Sequence, residues 1–319
     1  MTNATKTLAA LFVVLLVVAG FMKFSQSSSS SRALLSNVIT IDTAKVNKVV
    51  IHTPTSKAMK LTKKGGRWSV QQGNGESYPA DGNTVEDVIN SLNGVKPQSI
   101  VTHNPRQFTR YAVDSTGTKV DFDNGNTKLA SIYLGRFQMQ NQRSAGTYVR
   151  PASQNTVYMI NGFLTHSFDR HLDEWRQKQV WQYPRSKITQ VDMIYPADSS
   201  YTFVKGSDSQ HWLYGTDTLK PGIVDGMLDH IAQLKVDSFD YNKKSSDLTH
   251  PLYSIRLHLK DGQTREIHLT PGVKDNENDF LVTATNYPYV GKVRKSLYLD
   301  EVLKPLNVLK MKPKKKKKK

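Results

Sequence analysis

A stretch that combines an apolar strand, a glycine-containing turn and a tryptophan occurs twice in this chain of 319 residues. The first occurrence is LTKKGGRWSV, with Trp68, and the second is FVKGSDSQHWLY, with Trp212. Short apolar segments bounded by glycine, asparagine and serine are typical of strands joined by turns. A tryptophan that returns at the same place in two such segments indicates a unit that was built twice.

The chain that follows each tryptophan changes from a strand pattern to a helical one. In the first copy, Asp81 is a residue type that caps helix N-termini, and Gly94 is one that ends helices. Apolar residues three and four positions apart place one face of each predicted helix against a core. These faces consist of Val85, Val88, Ile89 and Leu92 in the first copy and of Val224, Leu228, Ile231 and Leu234 in the second.

A hairpin follows each predicted helix. Its turns lie at Asn124-Gly125 and Asp261-Gly262, dipeptides that suit a type I′ turn, in which both central residues have positive φ. A further pair of strands and a closing helix then complete each copy. The sequence therefore predicts an α+β fold made of two tandem copies of a β-meander and hairpin plus helix unit, over residues 39–180 and 181–309.

The N-terminus contains an uninterrupted apolar run, LAALFVVLLVVAGFM, over residues 8–22. A membrane-spanning helix needs roughly 20 apolar residues (range about 17–25), and this run is at the short end, with Thr7 and a snorkelling Lys23 able to extend it. We therefore predict one N-terminal transmembrane helix within residues 1–24. A cleaved signal peptide is the alternative, because Val18-Ala19-Gly20 is a tolerable cleavage site. The serine-rich residues 25–38 are predicted to form a linker that holds the two copies away from the bilayer.

The formal net charge of +17 is concentrated at the C-terminus, where eight of the last ten residues are lysine. Like charges repel and this segment has little to bury, so residues 310–319 are predicted to be a disordered poly-lysine tail. Contact of this tail with anionic lipid is the alternative. The rest of the chain is moderately basic and lacks the interleaved basic and aromatic residues of nucleic-acid binding, so we expect no nucleic-acid partner.

Candidate catalytic residues are few. The sequence has no common phosphate-binding, nucleophile or zinc-protease motif, and it has no cysteine. The best candidate for a metal or acid–base site is HSFDRHLDEW, with His166, Asp169 and His171, but histidines five positions apart do not share a helical face. His258 and His268 are predicted to lie on the polar face of the second hairpin. We therefore expect no enzymatic activity, no metal and no cofactor.

The candidate interaction residues are the two tryptophans and the lysines close to them, namely Trp68, Trp212, Lys63, Lys64 and Lys205. Exposed aromatic residues can stack on a ligand, whereas aromatic residues in apolar strand segments fill a core. Because both tryptophans recur at the same place in the repeat, we predict that each lies mostly buried beneath its own helix.

Several stretches of the two copies carry a resemblance to a known family, among them ITIDTAKVNKVVI, MKLTKKGGRWSV, YPADGNTVEDVINSLNGV, DEWRQKQVW and SKITQVDMIYP. They resemble a bacterial family of membrane-anchored, duplicated domains of unknown function, DUF4340, which accompanies gliding-motility-type ABC transporters. The resemblance covers nearly the whole of both copies. The family offers no established active site, so the resemblance implies a location and a partnership rather than a reaction.

The expected function is that of a non-enzymatic accessory or scaffold protein whose partners are ABC-type transporter subunits. The apolar run and the resemblance imply a single-pass protein of the bacterial inner membrane with both copies in the periplasm. An envelope glycan- or lipid-binding module is the alternative, motivated by the aromatic residues and the basic charge. A hydrolase that uses His166, Asp169 and His171 is a third hypothesis. The sequence does not indicate the oligomeric state.

Overall fold

A computed structural model describes residues 14, 17, 18, 37–141, 144–207, 210–272 and 278–311. The chain divides into two compact units, unit 1 (Met1–Arg176) and unit 2 (Gln177–Lys319). The sequence places the boundary between its two copies slightly further along, after residue 180.

Unit 1 is built around a sheet of nine antiparallel strands in its described part. The strands are β1 (Lys48–His52), β2 (Met59–Lys64), β3 (Arg67–Gln72), β4 (Ser77–Pro79), β5 (Ser99–Thr102), β6 (Thr118–Asn124), β7 (Thr127–Asn141), β8 (Ser144–Pro151) and β9 (Val157–Asn161). Their order across the sheet is β4-β3-β2-β1-β6-β7-β8-β9-β5. Two meanders therefore meet where β1 pairs with β6.

Unit 2 contains a second sheet of nine antiparallel strands among the residues described there. The strands are β10 (Ile188–Ile194), β11 (Tyr201–Lys205), β12 (Trp212–Tyr214), β13 (Asp217–Thr218), β14 (Ser238–Asp240), β15 (Tyr253–Leu259), β16 (Thr264–Pro271), β17 (Asp279–Ala284) and β18 (Tyr287–Arg294). Their order is β13-β12-β11-β10-β15-β16-β17-β18-β14. Each strand of unit 2 takes the place of the strand nine numbers earlier in unit 1, which confirms two tandem β units.

The helices are fewer and mostly short. Among the described residues from 37 onward, the α-helices are α1 (Gly82–Leu92), α2 (Phe108–Tyr111), α3 (Leu164–Phe168), α4 (Leu172–Trp175), α5 (Pro221–Ala232), α6 (Asp300–Val302) and α7 (Leu306–Leu309). Short 3-10 helices cover Thr43–Lys45, Pro105–Gln107, Arg185–Lys187 and Ser245–Asp247, and a π-helix covers Lys295–Leu299. The two longest, α1 and α5, occupy the same place in the two units, between the fourth and fifth strands.

Helix α1 has the cap and the buried face that its sequence predicts. The Asp81 side chain accepts a hydrogen bond from the Thr84 backbone N–H at 3.0 Å, and Gly94 has a φ of 74°, which is typical of a residue that ends a helix. The buried residues are Val85, Val88, Ile89 and Leu92.

The prediction for α5 was wrong at one position. The helix ends at Ala232, so Leu234 lies beyond it, and Met227 joins Val224, Leu228 and Ile231 on the buried face. Leu234 is buried nonetheless, and its backbone carbonyl accepts a hydrogen bond from the Val180 N–H at 2.9 Å. Apolar spacing alone does not distinguish a last helical turn from a buried segment that follows it.

The glycine turn between β2 and β3 forms where the sequence predicts a turn. Gly65 and Gly66 lie between the paired residues Lys64 and Arg67, and both have positive φ, 55° and 78°. This is the type I′ arrangement, whose twist matches that of the two strands.

The two later hairpins form, but the type I′ prediction for them was wrong. Between β6 and β7, the paired residues Asn124 and Thr127 enclose Gly125 and Asn126, and only Gly125 has positive φ, 60°. Between β15 and β16 the loop covers residues 260–263, and only Gly262 has positive φ, 78°. Glycine adopts the left-handed conformation without steric cost, so in each loop the glycine is the residue that takes the positive φ.

Each unit closes with a short segment that returns to its first meander. In unit 1, the Trp175 carbonyl accepts a hydrogen bond from Asp81 N–H at 2.8 Å, and Arg176 forms a β-bridge with Ala80. In unit 2, the Leu309 carbonyl accepts from Lys220 N–H at 2.8 Å, and Lys310 forms a β-bridge with Leu219. The described residues of the repeat therefore extend to Lys310, which the sequence assigns to the tail.

The predicted anchor and most of the predicted linker and tail lie outside the described residues, apart from Val14, Val17 and Val18, residues 37–38, Lys310 and Met311. Within the described part of the chain, no helix has the length and hydropathy to cross a membrane. Val38, which the sequence assigns to the linker, is buried, and its backbone N–H donates to the Val95 carbonyl at 2.8 Å. The packed part of unit 1 therefore includes the end of the predicted linker.

Gly135 on β7 provides a test of the packing in unit 1. A Cβ atom at this position would lie 2.1 Å from the Tyr111 carbonyl oxygen and 2.8 Å from Val113 Cγ1. We expect Gly135→Ala to lower the free energy of unfolding by about 1–3 kcal/mol, the usual cost of overpacking, as measured by urea unfolding.

Gly226→Ala is the matched control, because the Cβ position of this α5 residue faces open space. There the change is expected to raise the free energy of unfolding by about 0.5–1 kcal/mol. Equal stability of the Gly135→Ala and unmodified chains would contradict the close approach.

Candidate functional site

Trp68 lies on β3 against α1, and only 4% of the residue is exposed. Gly82, the first residue of α1, lies over Cδ1 of the indole ring. The indole Nε1 donates a hydrogen bond to Oε1 of Glu86, 3.2 Å away on the same helix. The prediction that Trp68 fills the core beneath its own helix is confirmed.

Lys63 lies opposite Trp68 on the neighbouring strand and shares its acceptor. The Lys63 Nζ donates to Glu86 Oε1 at 2.7 Å and lies 5.6 Å from the centroid of the Trp68 ring. Hydrogen bonds from Lys63 and from Trp68 hold the pKa of Glu86 below its usual range. Lys64 is exposed beside the turn, opposite Arg67, and belongs to another part of the surface.

A cleft of about 190 Å³ opens beside this group of side chains. Ligand sites for drug-sized molecules occupy roughly 300–1,000 Å³, so this cleft suits a single side chain of a partner or a ligand of a few atoms. Its wall combines a lysine, a carboxylate and an amide with apolar surface. The lining residues are Thr43, Ala44, Val46, Lys63, Trp68, Glu86, Ile89 and Asn90.

Trp212 occupies the equivalent position in unit 2. It lies on β12, is 6% exposed, and pairs in register with Lys205, whose Nζ lies 5.9 Å from the ring centroid. The Trp212 carbonyl accepts from Leu219 N–H just as the Trp68 carbonyl accepts from Ala80 N–H. The burial predicted for Trp212 is therefore confirmed, whereas the interaction role of both tryptophans and the three lysines stays a prediction.

The two units differ in what contacts the exposed side of the helix. In unit 2, Arg185 precedes β10 and reaches α5, where it contacts Asp225 at 3.1 Å and Asp229 at 3.0 Å. In unit 1, Thr43 and Ala44 precede β1 and line the cleft instead. The repeat has thus kept its core while this surface has changed.

The structure separates the residues of the HSFDRHLDEW candidate site. His166 lies in α3, where its ring centroid is 5.6 Å from that of Phe137, and Asp169 follows the helix as its C-cap. His171 is the N-cap of α4, and its backbone N–H donates to the Glu174 carboxylate at 2.7 Å. Among the described residues, no group of three or more histidine, aspartate or glutamate side chains could hold a metal ion.

The second sheet has a charged row on the face opposite the buried Ile255 and Leu257. Asp192 on β10, Arg256 on β15 and Glu266 on β16 are register neighbours, and Arg256 Nε donates to Glu266. This row was not predicted, because it depends on the pairing of three strands rather than on any local motif. The alternation of polar residues along β15 was the one available signal.

His258 and His268 flank this row, as expected for a half-exposed polar face. His258 Nε2 lies 2.8 Å from Asp192 Oδ2, and His268 Nε2 lies 3.4 Å from a Glu266 oxygen. Each histidine therefore has a carboxylate partner of its own.

The pKa of Asp192 is lowered in the folded chain. Burial alone would raise the pKa, but hydrogen bonds from His258, Gln190 and Thr202 outweigh it and hold the pKa below the usual 3.8. In unit 1, the pKa of Asp121 is lowered in the same way. Hydrogen bonds from Lys128 and Lys119, each 3.1 Å away, contribute to outweighing the rise in pKa that burial would cause. A carboxyl with a lowered folded-state pKa stabilises the fold above its unfolded-state pKa, and this contribution is lost as the pH falls through the folded-state value.

Asp192→Asn is expected to lower the free energy of unfolding by about 1–3 kcal/mol at pH 7, because the amide cannot replace a charged acceptor. The difference from the unmodified chain should shrink below about pH 4, where the aspartate of the unfolded chain becomes protonated. Urea unfolding at pH 7, 5 and 3 measures both effects. Asp87→Asn, on the exposed side of α1, should change stability by less than about 0.5 kcal/mol. An Asp192→Asn cost that is as large at pH 3 as at pH 7 would refute this account.

All four tryptophans of the chain are buried, at 4% exposure for Trp68, 0% for Trp175, 7% for Trp181 and 6% for Trp212. Native fluorescence should therefore be blue-shifted relative to the urea-unfolded chain and weakly quenched by acrylamide. Strong quenching of the native chain would contradict the burial of at least one indole.

Two comparisons with known proteins bear on identity. The sequence profile of a family described as "Domain of unknown function (DUF4340)" matches residues 73–249, which is more than half of the chain. This range contains both long helices and crosses the boundary between the units. No curated protein matches the chain.

Proposed function

The chain belongs to the DUF4340 family, and we propose that it is a non-enzymatic accessory or scaffold protein of an ABC-type transport system of the gliding-motility kind. In this proposal the apolar run at residues 8–22 anchors the chain in the bacterial inner membrane, and both units lie in the periplasm. ABC-type transporter subunits of the same membrane are the proposed partners.

The observation that carries the proposal is the order of the parts along the chain. An apolar run long enough for a short membrane span and a serine-rich linker precede two copies of one sheet-and-helix unit. Duplication supplies two related surfaces on one chain, and linked binding modules gain avidity without new contacts. This favours a docking role over one that depends on a single pocket.

The pairing of the charged side chains also favours docking over catalysis. General acid–base catalysis needs a group that is positioned to exchange a proton with a substrate. Glu86 instead accepts from Lys63 and Trp68, and Asp192 accepts from His258. These carboxylates support the fold or recognise a partner's polar group.

The cleft beside Glu86 is the proposed docking point of unit 1, and photo-crosslinking tests it. A photoreactive amino acid at Asn90, which lines the cleft, should give covalent adducts with a transporter subunit in intact cells. The same amino acid at Asn83, which is also exposed on α1 but does not line the cleft, is the matched control. Adducts are identified by mass spectrometry after purification from detergent-solubilised membranes.

The outcomes separate the parts of the proposal. Adducts at Asn90 but not at Asn83 support docking at the cleft. Transporter subunits that crosslink equally from both positions would support the partnership but refute the cleft as its site. Recovery of the chain from membranes without any transporter or envelope protein would refute the accessory role, and its recovery from the soluble fraction would refute the anchor.

The alternative is an envelope glycan- or lipid-binding module, and its glycan-binding form receives less support. Sugar stacking uses the exposed face of an aromatic ring, and the burial of Trp68 and Trp212 leaves little of either face free.

A further inference from the structure

The uncovered face of the unit 1 sheet carries a group of basic side chains. They lie on the neighbouring strands β3, β2, β1 and β6 and at the start of β7. Side chains alternate between the two faces of a strand, so residues next to the buried Val49, Leu61 and Phe122 point to the uncovered face. The basic residues of this face, which we call the basic face, are Lys48, Lys60, Lys64, Arg67, Lys119 and Lys128.

Two aspartates lie among these cations and are nearly covered. Asp123 contacts Lys48 at 3.0 Å, and Asp121 contacts Lys119 and Lys128 at 3.1 Å. Their side chains are only 10% and 8% exposed. The other aspartates and glutamates in the described part of unit 1 lie outside these five strands. The charge that this face presents to solvent is therefore positive.

The two aspartates also hold half of the cations in position. The three lysines that contact them carry their ammonium groups at fixed places on the sheet. The other three basic side chains are exposed and have no carboxylate partner among the described residues. These are Lys60, Lys64 and Arg67, on the adjacent strands β2 and β3.

The second copy does not have these lysines. Strand β1 pairs with β2 and β6 as β10 pairs with β11 and β15, so the register identifies the equivalent positions in the two units. Lys48, Lys60, Lys119 and Lys128 correspond to Gln190, Thr202, Ser254 and Thr264. All four replacements are uncharged. The same sheet therefore forms without the lysines, and the basic face is a property of the unit 1 surface.

Other features of this face limit what it can bind. Sugars and bases stack on exposed aromatic rings, but Tyr133, which β7 contributes here, is half-buried with the Arg150 guanidinium 4.5 Å from its ring centroid. Insertion into a bilayer uses exposed apolar side chains. Among the described residues, no large exposed apolar side chain lies on β1, β2, β3 or β6. Fixed cations without such groups favour a partner that has fixed carboxylates.

We propose that the basic face binds an acidic surface of a folded protein partner. Complementary charge steers such a partner to this face and sets its orientation. Ser69 and Gln71, which alternate onto the same face of β3, supply uncharged polar groups between the cations. The proposal goes beyond the proposed function and does not depend on it, since an acidic partner need not be a transporter subunit.

The absence of cysteine allows a single label to be placed at will. Thr62→Cys puts a small fluorophore on the basic face, in register with Lys48. Val204→Cys puts it at the equivalent position of unit 2, in register with Gln190. The probe is an octaglutamate peptide that carries a nitroxide quencher, added to the full chain in a neutral detergent at low salt. Both labelled chains keep the lysine-rich C-terminus, so they differ only in the position of the label.

Octaglutamate is expected to quench the Thr62→Cys label at a peptide concentration about tenfold lower than the Val204→Cys label, because a positive surface raises the local concentration of an anion. Octaglutamine with the same nitroxide should quench neither label.

A variant that leaves the aspartate pairs intact tests the cations directly. Lys60→Gln, Lys64→Gln and Arg67→Gln together, in the Thr62→Cys background, should raise the half-quenching concentration about tenfold. All three changes are at exposed positions, and an unchanged urea-unfolding midpoint would establish that the variant is folded.

The matched control removes the same number of exposed positive charges from unit 2. Lys243→Gln, Lys244→Gln and Lys295→Gln together should change the half-quenching concentration at Thr62→Cys by less than about twofold, because exposed charges beyond a Debye length are largely screened.

Three results would overturn the proposal. The first is half-quenching at equal peptide concentrations from both label positions, or an equal effect of the two triple variants, because the basic face would then have no preference for the peptide. The second is quenching that persists unchanged at about 1 M salt, where the Debye length is about 3 Å. The third is quenching of the Thr62→Cys label by nitroxide lipid in phosphatidylglycerol vesicles but not by octaglutamate, which would identify an anionic bilayer as the occupant.

Discussion

One constraint acts on each unit: the helix covers only one face of the nine-stranded antiparallel sheet. On the covered face, Val85 and Ile89 of α1 are buried with Trp68 in one apolar cluster. On the uncovered face, the polar side chains pair with one another in cross-strand ion pairs. The row of Asp192, Arg256 and Glu266 is therefore a consequence of the same layer arrangement that buries the tryptophans.

The two copies share the buried residues of the covered face and differ in the surface residues around it. The core needs side chains of matched volume at fixed positions, so strand order, helix position and the buried tryptophan recur in both units. Surface positions carry no such requirement. Unit 1 has Thr43 beside its cleft where unit 2 has Arg185 bound to Asp225 and Asp229. Differences between copies are consequently better guides to function than their similarities.

The sequence predicts those features that depend on local spacing. The buried face of α1, its Asp81 cap and the Gly65-Gly66 turn follow from residues close together in the chain, and the duplication and the burial of Trp68 follow from the recurrence of such local patterns. The later hairpin turns and the end of α5 were predicted less well, because flanking strands and packing decide them. In the candidate site, Lys63 and Trp68 were identified, but Glu86 was not, since it reaches them only once α1 packs on the sheet.

The closing bridges have a mechanical consequence. Trp175 is fully buried, and Arg176 is bonded to Ala80 at the last position before unit 2 begins. Leu309 and Lys310 hold the corresponding end of unit 2. A pulling force applied to the chain at either end point meets a buried side chain and a backbone bridge before it reaches the sheet. The C-terminal end of each unit is thus fixed by contacts of its own.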